Sequence, residues 1–157
     1  MKLLHRIALA GGVALLVSAC VKPTASVLEK RQVVKQEKPA AAAVRGKVTS
    51  MPLDVFFPIH QQGKLLVFDA RPGFLYQISH IPGALHLSKG GCDEWIDTHR
   101  ALLDQAVKDG KTIVVYCSGL MCPDARTVAS HLATFGYSAS VLSGGWNDWT
   151  EAGMPTE

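Results

Sequence analysis

Three short apolar runs, with stretches of helical period between them, restrict this chain to one class of fold. Leu65-Leu66-Val67-Phe68 runs into Asp69, Thr112-Ile113-Val114-Val115-Tyr116 runs into Cys117, and residues 138–142 form the third run. Continuous apolar runs of this length fit strands covered on both faces, as in a parallel sheet. Residues 84–87 read as a shorter strand and Val48-Thr49 as an edge strand. Residues 93–108 place Trp95, Ile96, His99, Leu102, Leu103, Ala106 and Val107 on one helical face, and Asp109-Gly110 stops them. Residues 124–135 group Val128, Ala129, Leu132 and Phe135, with Pro123 suited to the first turn and Gly136 as the stop. Residues 52–61 form a weaker helix with Pro58 near its end. Alternating β and α elements predict an α/β fold: an open, mostly parallel sheet with helices on both faces. Function in such sheets gathers beyond the carboxyl ends of the strands. Asp69 and Cys117 both stand there.

Charge is split unevenly along the 157 residues. Residues 1–47 carry nine basic and two acidic side chains, a net +7, whereas residues 48–157 carry seven basic and eleven acidic, a net −4. A mildly acidic domain behind a basic leader is not expected to bind nucleic acid, which needs clustered basic surface on the folded part.

The leader reads as an address. Lys2 and Arg6 precede an eleven-residue apolar run over 7–17, which is too short for a comfortable membrane span and fits a secretory signal. Val17-Ser18-Ala19-Cys20 resembles the bacterial lipoprotein box. That resemblance implies removal of residues 1–19 and lipidation of Cys20; the competing reading is a plain signal peptide with an incidental cysteine. Several acyl chains would anchor the protein stably, where one chain is marginal. The expected location is therefore the cell envelope, facing the periplasm. Val21 rather than Asp after Cys20 favours the outer membrane by the enteric sorting rule. Residues 20–47 are the lipidated cysteine and a basic tether, which as a flexible coil spans about 30 Å. Residues 48–157 are the folded domain.

Cys117 is the leading candidate for chemistry. Tyr116-Cys117-Ser118-Gly119-Leu120-Met121-Cys122-Pro123-Asp124 reads as strand, loop and helix start. Such a loop presents unpaired backbone N–H groups, and they favour negative charge at its centre. A thiol placed there is a thiolate nucleophile. The competing reading is a small buried residue that ends a strand.

Residues 48–157 resemble the rhodanese family. Asp69-Ala70-Arg71, then Tyr76, then His80-Ile81-Pro82-Gly83-Ala84 is similar to its Asp-x-Arg…Tyr…His-Ile-Pro-Gly-Ala signature. Tyr116-Cys117 is similar to its active-site cysteine, and Gly144-Gly145…Trp149 to its closing Gly-Gly-x-x-x-Trp. The resemblance implies a five-stranded parallel sheet between helices and sulfur transfer through a Cys117 persulfide, without metal or cofactor. It also implies a small sulfane-sulfur donor, a thiol acceptor that is small or protein-borne, and a monomer. The family's common loop is Cys-Arg-Ser-Gly-x-Arg. Here residues 118–124 hold no Lys or Arg, the nearest being Arg126, so no cation of the loop holds an anionic donor such as thiosulfate. The loop is closer to a periplasmic-type Cys-x-Gly-x-x-Cys variant. A related phosphatase branch needs Arg six residues after the cysteine, where this chain has Pro123.

Cys122 reads either as a thiol that resolves an oxidised or persulfidated Cys117, or as a loop residue without a redox role. Two alternatives to sulfur transfer follow: a thiol–disulfide redox protein using Cys117 and Cys122, and a silent binding module, against which Cys117 itself speaks. With Cys20 set aside, Cys92, Cys117 and Cys122 are an odd number, so at least one thiol stays free. Cys92 is expected to be structural. Asp69, Arg71 and His80 are expected to form a polar network bracing the loops, and Trp146 and Trp149 to be core anchors. His60, His86, His99 and His131 show no metal-ligand spacing with the cysteines.

Overall fold

The structure, a computed structural model, describes residues 45–157. The expected signal, Cys20 and most of the tether fall outside the described residues. Five strands, β1 (Val48–Met51), β2 (Leu65–Asp69), β3 (Leu85–His86), β4 (Thr112–Tyr116) and β5 (Ala139–Leu142), form one sheet in the order β1-β5-β4-β2-β3. Every pair is parallel. Six helices accompany them: α1 (Leu53–Gln61), α2 (Gly73–Ile78), α3 (Cys92–Thr98), α4 (Arg100–Lys108), α5 (Asp124–Thr134) and α6 (Gly145–Glu151). None is long and apolar enough to cross a membrane.

The continuous apolar runs are explained by the two cores. Alternate side chains of β4 go to opposite faces: Ile113, Val115 and Cys117 join one cluster, Val114 and Tyr116 the other. The first cluster is closed by Ile96, Leu103, Val128, Ala129 and Leu132 from α3, α4 and α5. The second is closed by Phe56 of α1 and Trp149 of α6, both fully buried. Each such large side chain contributes about 1.5–3 kcal/mol by leaving water. Helices therefore cover both faces, as the runs predict.

Two expectations need correction. The single helix over 93–108 is two helices broken at His99. Thr98 Oγ1 donates to the carbonyls of Glu94 and Trp95, and His99 Nδ1 donates to the carbonyl of Trp95 at 2.8 Å. These local bonds compete with the helical ladder. The chain turns, and the carbonyl of His99 then receives the N–H groups of Leu102 and Leu103 to start α4. As a result Leu102 and Val107 are exposed, although a straight helix would place them on the buried face. The second correction concerns α2 and α6, short helices that the periodicity did not reveal. α2 has no fully buried side chain: Leu75 and Tyr76 are half-buried, and Phe74 and Ile78 are exposed.

The strand order places the site. The connection after β2 leads outward to β3, and the connection after β4 leads to β5 on the opposite side. A crevice opens where connections diverge in this way, at the carboxyl ends of the two neighbouring strands. Asp69 and Tyr116 are register partners there, one residue short of Cys117.

Candidate active site

Cys117 follows β4 directly and is 3% exposed. Its sulfur is bonded to that of Cys122 in a disulfide with the Cα atoms 6.1 Å apart. The predicted pairing partner is thus in reach, and the two cysteines close a small ring over the loop. Cys122 is half-buried. Between them Ser118 and Gly119 are half-buried, while Leu120 and Met121 are 80% and 95% exposed. The Cys122 N–H donates to the Gly119 carbonyl and makes the loop a turn. The N–H groups of Ser118, Gly119, Leu120 and Met121 donate to no other described residue. Pro123 caps α5 and is exposed, and Asp124 opens the helix in an ion pair with Lys89 at 2.9 Å. A carboxylate in the first turn suits the helix dipole.

The loop is clipped from the far side by α6. The carbonyls of Cys117 and Ser118 accept the N–H groups of Trp146 and Asn147, at 2.8 and 2.9 Å. These are amides of the first turn of α6, which the helix itself leaves unpaired. Gly145 makes the approach possible. Its φ is +59°, and a Cβ there would collide with the Cys117 carbonyl.

Beneath the loop lies a buried polar brace. Arg71 and Asp69 are almost wholly buried and pair at 2.6 Å through Arg71 Nη2 and Asp69 Oδ2. Arg71 Nε also donates to both carboxylate oxygens, and Nη2 to the Ser79 carbonyl at 2.7 Å. The Tyr116 hydroxyl donates to Asp69 Oδ2 at 2.6 Å and accepts the Ile81 N–H at 3.1 Å. Burial, and then the Asp69 contact, push the Tyr116 phenol well above its ordinary pKa. The Arg71 guanidinium lies 4.2 Å from the centre of the Trp146 ring. The brace joins β2, β4 and α6, the elements that hold the loop. No buried side-chain polar atom among the described residues lacks a partner.

His80 does not join this brace, contrary to expectation. Its Nδ1 donates to the Tyr76 carbonyl, its ring stacks on Tyr76, and Nε2 faces the Glu157 carboxylate at 3.6 Å. The Ser79 carbonyl, not the His80 ring, takes the donor of Arg71 beyond Asp69, and His80 is held instead on the Tyr76 side. Trp149 is the core anchor expected, but Trp146 is only half-buried and belongs to the site through its N–H and its ring. Sequence reasoning missed Tyr116, Trp146 and Asn147 as site residues. The Gly144-Gly145 pair was the available signal, because it marks a close backbone approach.

Two cavities flank the loop. One, of about 320 Å³, is lined by Cys117, Cys122, Val141, Ser143 and Gly144, and Arg126 is its single cation. Arg126 is exposed at its mouth. The other, of about 380 Å³, lies beside Leu120, Met121, Asn147, Asp148 and Glu151. The site is therefore apolar on its crown and carries carboxylates on one flank. A larger cavity of about 710 Å³ lies at the amino ends of the strands, among Arg100, Asp104, Lys111 and Tyr137, and is lined by no cysteine.

Cys92 is the free cysteine of the described residues. It is 2% exposed in the same core cluster as Cys117, and burial, then the neighbouring Asp93 carboxylate, push its thiol pKa up.

The family model "Rhodanese-like domain" matches residues 58–152. The chain belongs to the rhodanese-like domain family, and its all-parallel five-stranded sheet is that fold. No curated protein sequence matches the chain. Among solved structures it is similar to the BH2092 protein of Bacillus halodurans (TM-score 0.60, 24% identity, 69% of this chain and 76% of that one). It is also similar to RPA3614 of Rhodopseudomonas palustris, described as of unknown function and a possible tyrosine phosphatase (TM-score 0.58, 22% identity, 70% and 85%). A thiosulfate sulfurtransferase of Pseudomonas aeruginosa matches at TM-score 0.52 and 21% identity, over 70% of this chain and 20% of that one. At these identities the likeness is one of fold.

Proposed function

We propose that this domain is a sulfurtransferase that carries sulfane sulfur on Cys117, with Cys122 as its resolving thiol. The observation that carries the reading is the seat of Cys117: a strand-end sulfur at the start of a loop whose next four N–H groups donate to no other described residue. Fixed dipoles of this kind stabilise a persulfide anion without reorganisation. In loading, the Cys117 thiolate attacks the outer sulfur of a donor R–S–SH. The Cys117 S–S bond forms, the donor S–S bond breaks, and R–S⁻ leaves. In delivery, an acceptor thiolate R′–S⁻ takes the outer sulfur as R′–S–SH, and the Cys117 thiolate returns. Two half-reactions on one enzyme sulfur give ping-pong kinetics.

Cys122 adds a second exit. Its thiolate attacks the Cys117 sulfur of the persulfide, expels HS⁻ and leaves the disulfide. A dithiol reductant then reopens the loop. Thiosulfate is a poor candidate donor, since Arg126 is the single cation lining the cavity beside the cysteines and the nearby Lys89 is already paired with Asp124. Phosphatase chemistry is disfavoured because Pro123 stands where that branch needs an arginine. The disulfide also favours a second reading, a thiol–disulfide redox protein in which Cys117 and Cys122 exchange two electrons with a partner dithiol. The lipoprotein box and the basic tether support placement at the envelope, lipid-anchored through Cys20 and facing the periplasm. No contact with nucleic acid is expected of this acidic domain.

Intact mass after incubation with polysulfide or a small persulfide tests the reading. Reduced protein is expected to gain one sulfur atom, Cys117→Ser to gain none, and Cys122→Ser to gain it with or without prior reduction. Failure of every donor to load reduced Cys117, with reversible loss of two hydrogens that requires both cysteines, would replace sulfur transfer by the redox reading.

A further inference from the structure

A cluster with metal-ligating chemistry lies outside the loop, where α3 packs on α5. Cys92 and Asp93 are the first two residues of α3, and His131 lies in the last turn of α5. The three are brought together across a sequence gap that hid them. His131 Nδ1 and Asp93 Oδ1 are 2.5 Å apart, and Cys92 Sγ lies 3.9 Å from the same oxygen. All three ligand atoms lie within 4.8 Å of one another.

We propose that Cys92, Asp93 and His131 form a binding site for a divalent ion of the zinc class, separate from the Cys117 loop. One thiolate, one imidazole and one carboxylate are the donor set that zinc prefers over magnesium or calcium. Bonds of about 2.0–2.3 Å in a tetrahedron hold ligand atoms about 3.3–3.7 Å apart. The observed separations bracket that range. Cys92 is rigid in the core, whereas the Asp93 and His131 side chains are 61% and 37% exposed and are able to rotate around an ion. The Cys92 thiol is 2% exposed, points into the cluster, and has as its sole partner the weak contact to Asp93. On binding, Cys92 gives its thiol proton to solvent and the ion displaces the proton shared by His131 and Asp93. A thiolate and a carboxylate then neutralise the two positive charges, and water fills the fourth position. The bound ion pins α3 to α5, the helix that begins at the Cys122 end of the active loop. The alternative is a plain His131–Asp93 ion pair over a packing cysteine.

The test uses the full chain under non-reducing conditions, so that Cys117 and Cys122 stay in their disulfide. Titration with Co²⁺ alone is expected to give a thiolate-to-cobalt charge-transfer band that saturates at one equivalent, and added Zn²⁺ is expected to bleach it. The band should persist in Cys20→Ala and vanish in Cys92→Ser. His131→Gln, a change at a partly exposed site, should weaken Co²⁺ affinity at least about tenfold while the fold is kept. No band in the wild-type chain, a band that survives Cys92→Ser, or a band that goes with Cys20 would each overturn the proposal. Unchanged affinity in a folded His131→Gln would do so as well, even if Cys92→Ser failed to fold.

Discussion

At the scale of single residues, Tyr116 shows how the site is held. Its ring lies in one core and its hydroxyl ties the end of β4 to Asp69 and to the Ile81 backbone. Tyr116→Phe removes the donor to Asp69 and strands the Ile81 N–H, and is expected to cost about 1–3 kcal/mol. The effect has a pH signature. The folded protein keeps this phenol protonated above the value of an unfolded tyrosine, about 10. Above that pH the unfolded chain binds fewer protons than the folded one, so wild-type stability falls as pH rises. Below it the contribution is complete. Urea unfolding should show the gap between wild type and Tyr116→Phe narrowing above pH of about 10; a constant gap would show that the phenol titrates alike in both states. Arg71 and Asp69 belong to the same brace, and losing either partner leaves a buried charge alone, which costs about 3–5 kcal/mol.

At the scale of elements, the decisive contact is the clip between the loop after β4 and the start of α6. It depends on Gly145, whose positive φ and missing Cβ let the Trp146 N–H reach the Cys117 carbonyl. Gly145→Ala is expected to add about 1–3 kcal/mol of backbone strain. Displacing Cys117 by about 1 Å is expected to cost sulfur loading about a hundredfold. Gly153 supplies the control. It also has a positive φ, but a Cβ there meets nothing within 4 Å. Gly153→Ala should lower the melting temperature and leave the rate of loading intact. Equal loading rates in both variants would show that the clip does not position Cys117.

At the scale of the whole molecule, the parallel sheet separates two ends. The chain enters at the amino end of β1, where Gly46 N–H bonds to the Ala133 carbonyl and Lys47 N–H to Ser138 Oγ. Cys117 follows the carboxyl end of β4, the central strand, at the other end of the strands. Under the proposed anchoring, the Cys20→Ala chain should move from the membrane pellet to the soluble fraction on ultracentrifugation. A chain that stays with the membrane would count against the lipid anchor.

Much of the fold was legible because strands buried on both faces announce themselves as continuous apolar runs. Residues 65–68 and 112–116 needed no tertiary information, and the helix of α5 followed from its stripe and its glycine stop. Cys117 was legible for the same reason: a thiol at the end of such a run has few other places to be. The break at His99 was not legible, because the bonds of Thr98 and His99 to the Trp95 carbonyl depend on side-chain rotamers that periodicity does not encode. α2 was silent because its six residues are too few to show a helical period. The sequence by itself determined the strands, the place of Cys117 at the end of β4, and the want of Lys or Arg within residues 118–124. Only the tertiary structure decided which polar groups meet: Tyr116 with Asp69, Arg71 with Trp146, Cys117 with Cys122, and His131 with Asp93 beside Cys92. Local composition writes propensity and burial into a chain. Pairings between distant residues arise from strand order and helix packing, which exist only once the two cores have formed.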